Sequence, residues 1–186
     1  MSSVYLKNKN ITFVHSPKCA GSSIYGWLRN NRFCDNASRN KHKKKFQFVE
    51  ELKLDSPAKD IFYFSVVRNP FDKIVSWYEY LKKSGGAGGE ALQDNFECWF
   101  WKHGEKRVDT IFDWVDKTDC ILRYERLNED FKIIQHKLNC YQPLPKYNVS
   151  RQCKSNYQDY YTNDSMIDAV YKWDKGDIDY FNYKFK

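Results

Sequence analysis

Three short apolar runs, at residues 10–15, 60–67 and 118–124, are rich in Ile, Val, Phe or Tyr and read as strands. Each gives way to a loop and then to apolar residues at helical spacing. The first helix begins near Ser22 and puts Ile24, Trp27 and Leu28 on one face. The second has a sharp start: Asn69 suits the N-cap, Pro70 the first helical position, and Phe71, Ile74, Val75, Tyr78 and Leu81 form an apolar stripe. The third follows Arg126, with Leu127, Phe131, Ile134 and Leu138 at the same spacing. Repeated strand–loop–helix units predict an α/β fold in which a parallel sheet is covered by helices. Ligands in such sheets belong at the C-terminal ends of the strands. Lys18, Arg68 and Tyr124 fall there.

Two stretches depart from this rhythm. Ser84-Gly85-Gly86-Ala87-Gly88-Gly89 reads either as a flexible connector or as an acceptor-side loop that orders around substrate. Residues 90–117 carry Phe96, Trp99, Phe100, Trp101, Phe112 and Trp114, which predict a helical subregion packed on the sheet. No internal repeat or linker splits the chain, so 186 residues predict one domain, residues 1–186.

The chemistry concentrates at two strand ends. After the first strand comes Pro17-Lys18-Cys19-Ala20-Gly21-Ser22-Ser23, a small-residue loop holding one lysine. After the second comes Arg68, then a helix with Ser76 eight residues on. A strand, a tight loop and a helix N-terminus make an anion site, because first-turn N–H groups and the positive dipole end both face the ligand. Two such sites imply a ligand with phosphate-like groups at both ends. The loop is not the G-x-x-x-x-G-K-[ST] phosphate loop, in which lysine directly precedes the magnesium-binding hydroxyl. Lys18 comes early instead, and Arg68 and Tyr124-Glu125 stand where a metal-holding aspartate is expected.

At these residues the chain resembles the sulfotransferases that use 3′-phosphoadenosine-5′-phosphosulfate (PAPS), nearest the carbohydrate type often called sulfotransferase family 2, which acts on heparan, chondroitin and dermatan. Pro17 to Ser23 is similar to that family's P-K-[TC]-A-G-[TS]-S loop for the 5′ end of the cofactor. Val67-Arg68-Asn69-Pro70-Phe71-Asp72-Lys73-Ile74-Val75-Ser76 resembles its V-R-N-P-[FWY]-D-[RK]-x-V-S segment for the 3′-phosphate. Arg123 to Phe131 resembles R-[FY]-E-x-L-x-x-D-[FI]. The C-terminal part, from Asn148-Val149-Ser150 through Tyr160-Tyr161-Thr162 to Phe185, resembles N-x-S…Y-x-x-Y-Y-T…F-x-Y-x-F.

The resemblance implies a P-loop-like sheet flanked by helices, PAPS as cofactor with PAP as its product, and no metal. It implies a hydroxyl acceptor of the carbohydrate class. Lys18 is then the catalytic cation for charge growing on the bridging oxygen, an effect of about 3–4 kcal/mol in a water-excluded site. Cys19 and Ala20 complete the cofactor loop, and Gly21 lets the backbone approach phosphate. Ser22 and Ser23 add hydroxyls, read equally as helix caps. Arg68 suits a bidentate hold on the 3′-phosphate, with Ser76 beside it by resemblance. Tyr124 reads either as an adenine contact or as core packing. Arg151 and Lys154 read either as closing over the cofactor or as a solvated face. His42 is the candidate general base, since a near-neutral pKa suits that work. Relatives continue H-x-T-A where this chain has Lys43-Lys44-Lys45, so Glu50 or Glu51 stays open as the base. His15 reads as an organiser of the loop.

Composition narrows the classes. Aromatics reach 18%, enough for a substantial core, and no run approaches the ~20 apolar residues of a membrane span. The net charge of +7, densest at Arg39 to Lys45, suits a polyanionic cofactor or an acidic glycan, or is a solvated loop. No nucleic-acid motif accompanies it. Six cysteines without a C-x-x-C pair, one of them inside the ligand loop, predict free thiols in a reducing cytosol. The first residues lack an apolar signal core. They predict no membrane anchor, hence either a soluble cytoplasmic enzyme or a trimmed piece of a longer chain. The competing classes are a nucleotide kinase or NTPase, disfavoured by the loop's lysine position, and a non-catalytic binder of nucleotides or anionic glycans.

Overall fold

Four strands form one sheet in the order β1 (Val4–Leu6), β2 (Ile11–Val14), β3 (Phe62–Val67), β4 (Cys120–Arg123). This computed structural model describes residues 4–6, 9–34, 61–84, 94–107, 110–115, 118–147 and 156–186. They divide into one unit of Met1–Val67 with Asp113–Asn148, and a second of Arg68–Phe112 with Val149–Lys186.

In the first unit β2, β3 and β4 run parallel, with Val14 opposite Ser65 and Val67 opposite Arg123. β2 and β3 are almost wholly buried along their length, as parallel strands covered on both faces must be. Phe13 and Phe64 stack at 5.1 Å. Two hydroxyls staple the neighbouring strands: Ser65 Oγ donates to Val14 O and Ser16 Oγ to Val66 O, each at 2.6 Å. β1 departs from the all-parallel expectation. It pairs antiparallel with β2, Val4 opposite Phe13 and Leu6 opposite Ile11, through a turn with Asn10 at φ 50°. Three residues are too few for a readable alternation, so the partner strand creates this element.

Helix α1 (Gly21–Asn30) buries Ile24, Trp27 and Leu28 as the periodicity predicts. Trp27 meets the Phe131 ring edge-on at 5.1 Å, and its Nε1 donates to Gln142 O at 2.7 Å. The third predicted helix comes in pieces. A 3₁₀ turn at Tyr124–Arg126 and a short turn at Leu127–Asp130 precede the helix Lys132–Leu138. Phe131, Ile134 and Leu138 are its buried face.

In the second unit, helix α2 (Pro70–Ser84) starts where its cap predicts. Asn69 Oδ1 accepts from the Phe71 N–H at 3.1 Å, and the stripe from Phe71 to Leu81 is buried. The Phe71 ring takes Tyr161, Tyr171 and Phe185 edge-on at 5.8, 5.1 and 5.2 Å. The aromatic subregion is helical but changes register twice, from α (Phe96–Trp99) to π (Phe100–Gly104) to 3₁₀ (Glu105–Arg107). The wider π turn brings Phe100 against Trp173 at 4.8 Å, where a methyl group at Gly104 would crowd that indole at 3.0 Å. Phe96, Trp99 and Phe100 are core, whereas Trp101 is 50% exposed. The connector beyond Ser84, together with His42, Glu50, Glu51, Arg151 and Lys154, lies outside the described residues.

Candidate active site

The first candidate region, in the first unit, hangs from the end of β2. Ser16, fixed to Val66 O, starts the turn, and the backbone is left-handed at Lys18 (φ 63°) and again at Ala20 (φ 58°). Neither is glycine, so each placement costs roughly 1–2 kcal/mol. Ala20 is the N-cap of α1 and contributes no side-chain cap; its carbonyl accepts from Ser23 and Ile24 N–H at 3.0 and 3.2 Å. Left-handed non-glycine backbone at a helix start is strain of the kind that collects at ligand loops. Gly21 is required here: a Cβ would overlap the ring of His15, which is buried beneath the loop beside Phe13.

The polar groups divide their work. Ser23 Oγ accepts from the Tyr147 N–H at 3.0 Å, which turns this hydroxyl toward the chain's own backbone. Ser22 and Lys18 are partly exposed. Cys19 is buried, and its thiol donates to Pro17 O at 3.4 Å, closing the loop on itself. All five described cysteines are free thiols. Tyr124 begins the turn after β4, at the same C-terminal end of the parallel strands as this loop, and the residue is 37% exposed.

The second candidate region, in the second unit, uses side chains. Arg68, Asp72 and Ser76 recur at four-residue intervals, and Asp72 and Ser76 share one face of α2. All three are buried, with 5–7% of their surface exposed. Arg68 Nε donates to Asp72 Oδ2 at 2.8 Å. Asn69, besides capping α2, donates through Nδ2 to Lys184 O at 3.0 Å and to Tyr157 Oη at 3.4 Å. Tyr161 Oη donates to Phe71 O at 2.9 Å. Burial above all, then the Asp72 charge, holds its phenol protonated well above the usual range. Sequence reasoning passed over Asp72, although an opposite charge at i,i+4 is a readable signal.

One turn of α2 also places Lys73 in the interior. Asp177, buried in the same unit, accepts from the N–H groups of Ile111 and Phe112. Burial pushes the Asp177 carboxyl up, while those two bonds and the Lys73 charge pull it back. This is a structural network, tying α2 to the helix Lys175–Phe181. Among the described residues no group of three or more His, Cys, Asp or Glu is arranged to hold a metal, and no helix is long and apolar enough to cross a membrane.

A family model described as the sulfotransferase family matches residues 3–109, more than half of the chain, a span that includes both the Pro17–Ser23 loop and Arg68–Ser76. The chain belongs to the sulfotransferase family. Its reaction class is therefore sulfuryl transfer, and the P-loop-like α/β fold agrees with that membership. No curated protein and no solved structure matches the chain. Lys18, His42, Arg68 and Ser76 fall inside the matched span of this sulfotransferase, while Tyr124, Arg151 and Lys154 fall beyond it.

Proposed function

We propose that the chain acts as one sulfotransferase domain that takes its sulfuryl group from PAPS and delivers it to a hydroxyl, with a carbohydrate as acceptor. The observation that carries the donor assignment is the buried guanidinium of Arg68 at the start of α2. A loop-and-helix anion site alone suits many nucleotides. A second, separate cation embedded in the fold suits a nucleotide with phosphate at both ends.

When bound, PAPS supplies a sulfuryl group on a mixed anhydride, whose S–O bond breaks as the acceptor oxygen forms a new one. The chain's part is positioning and charge, as in phosphoryl transfer. The Lys18–Ser23 backbone and the start of α1 cradle the 5′ end, with Lys18 Nζ stabilising the charge left on the departing phosphate oxygen. Arg68 and Ser76 hold the 3′-phosphate, and Tyr124 lies against the adenine. Arg151 and Lys154, outside the described residues, are assigned to the nucleotide on the sequence alone, with a solvated face as the alternative. His42 takes the acceptor proton, with Glu50 or Glu51 as the alternative base.

Isothermal titration tests the donor. PAP binds at micromolar level or tighter, and adenosine 5′-phosphate binds at least about tenfold more weakly, the ~1.4 kcal/mol of one lost charge-assisted contact. Equal affinities sink the assignment, and preference for ATP with magnesium favours a kinase-like reading. Turnover with a panel of sugar acceptors tests the acceptor class. Activity that EDTA abolishes and magnesium restores counts against the mechanism.

A further inference from the structure

We propose that Asp72 is a positioning residue that orients Arg68 for the nucleotide's 3′-phosphate; this rests on the donor assignment above. Asp72 stands between Arg68 and Ser76 in the i, i+4, i+8 series, so a carboxylate sits in the middle of the groups assigned to an anion. Electrostatics alone argues against that arrangement, because a buried negative charge repels a phosphate dianion and partly cancels the guanidinium.

Geometry supplies the reason to keep it. Asp72 Oδ2 takes the hydrogen of Nε, the guanidinium nitrogen nearest the chain, at 2.8 Å. The two terminal nitrogens form the planar fork that meets phosphate bidentately. Holding Nε fixes the plane of that fork before ligand arrives, which removes rotamer freedom that binding otherwise has to quench. Asp72 is itself set in place. Its neighbour Phe71 is pinned by Tyr161 Oη and three aromatic rings, and the Asp72 charge is felt at the buried Tyr161 phenol. An exposed i,i+4 pair contributes almost nothing; this pair is buried, so its orientation is enforced.

The test is the ratio of affinities for PAP and adenosine 5′-phosphate in the full chain, by titration calorimetry, for wild type, Asp72→Asn and Asp72→Ala. A disordered Arg68 loses only the 3′-phosphate contact. Asp72→Ala therefore lowers the preference for PAP about tenfold, with affinity for adenosine 5′-phosphate within twofold of wild type. Asp72→Asn, which keeps shape and an acceptor oxygen for Nε, retains the preference within about threefold and guards against a folding defect in the alanine variant. Equal weakening of both ligands in both variants means Asp72 only stabilises the fold, and overturns the proposal. So does an unchanged or increased PAP preference in Asp72→Ala, which makes the carboxylate a mere damper of charge. A wild type with no preference for PAP overturns the donor assignment and this proposal together, and is thereby distinguished from a failure of the proposal alone.

Discussion

The two regions proposed to hold the nucleotide's anionic ends are built from opposite materials. The Pro17–Ser23 loop works through its main chain. Lys18 and Ala20 accept left-handed backbone, Gly21 gives up its side chain to make room for His15, and α1 starts without a side-chain cap. The Arg68–Ser76 turn has no such outlier. Asn69 caps α2, Pro70 fits its first position, and Arg68 and Asp72 form a buried ion pair. One region stores strain in the backbone; the other invests in buried, hydrogen-bonded side chains. Main-chain N–H groups survive every substitution except proline, whereas the fork of Arg68 is lost in any replacement, so the two regions respond differently to substitution.

The largest contrast is functional. Lys18→Ala lowers kcat by roughly 10²–10³, the ~3–4 kcal/mol of a donor aimed at developing charge, with a smaller change in PAP affinity because the backbone cradle persists. Arg68→Ala reverses the balance: the Kd for PAP rises at least about tenfold, while kcat at saturating donor changes less. Steady-state kinetics paired with calorimetry reads both, and swapped phenotypes mean the two ends of the nucleotide have been exchanged.

Stability gives the next contrasts. Gly21→Ala drives a methyl group into the buried His15 ring and costs about 1–3 kcal/mol in urea denaturation, the usual range for overpacking. An unshifted midpoint means the loop yields, and the tight contact is not a constraint. Asn69→Ala removes the cap on Phe71 N–H and the bond to Lys184 O, and costs about 1 kcal/mol. A loss no larger than an ordinary surface substitution breaks the claim that the second region depends on side chains.

The smallest effect discriminates by sign. Ala20→Gly relieves left-handed strain and adds flexibility to the unfolded chain, for a net gain of about 0.5 kcal/mol. Asn69→Gly destabilises instead, by about 0.5–1 kcal/mol, because it loses the side-chain cap together with the bond to Lys184 O. Thermal melts of the two variants shift in opposite directions if the strain assignment is right.

What the sequence disclosed follows the range of the interactions involved. The start of α2 was legible because Asn69, Pro70 and the apolar stripe act within one or two turns. The strands at 10–15, 60–67 and 118–124 were legible because continuous apolar runs suit a sheet covered on both faces. β1 was not, since Val4–Leu6 is defined by its partner strand. The π turn at Phe100–Gly104 was hidden as well, because its register answers to Trp173, far along the chain. In the site, the loop and Arg68 were visible as local motifs. That His15 packs on Gly21, that Tyr147 engages Ser23, and that Asp177 holds Ile111 and Phe112 are contacts of tertiary packing, with no local pattern to announce them.

The parallel register of β2 with β3 also sets a clock. Val14 O meets Ser65 Oγ, a residue 51 positions later, so no hairpin can nucleate this pairing. Long loops must close before the contacts form, which puts such sheets in the slow, millisecond-to-second range of folding. During synthesis at ~5–20 residues per second, β2 waits roughly 3–10 s for its neighbour to be made. Through that interval Ile11, Phe13 and Val14, all buried in the finished sheet, have no β3 to cover them, and the nascent chain depends on chaperones or on its own collapse to shield them.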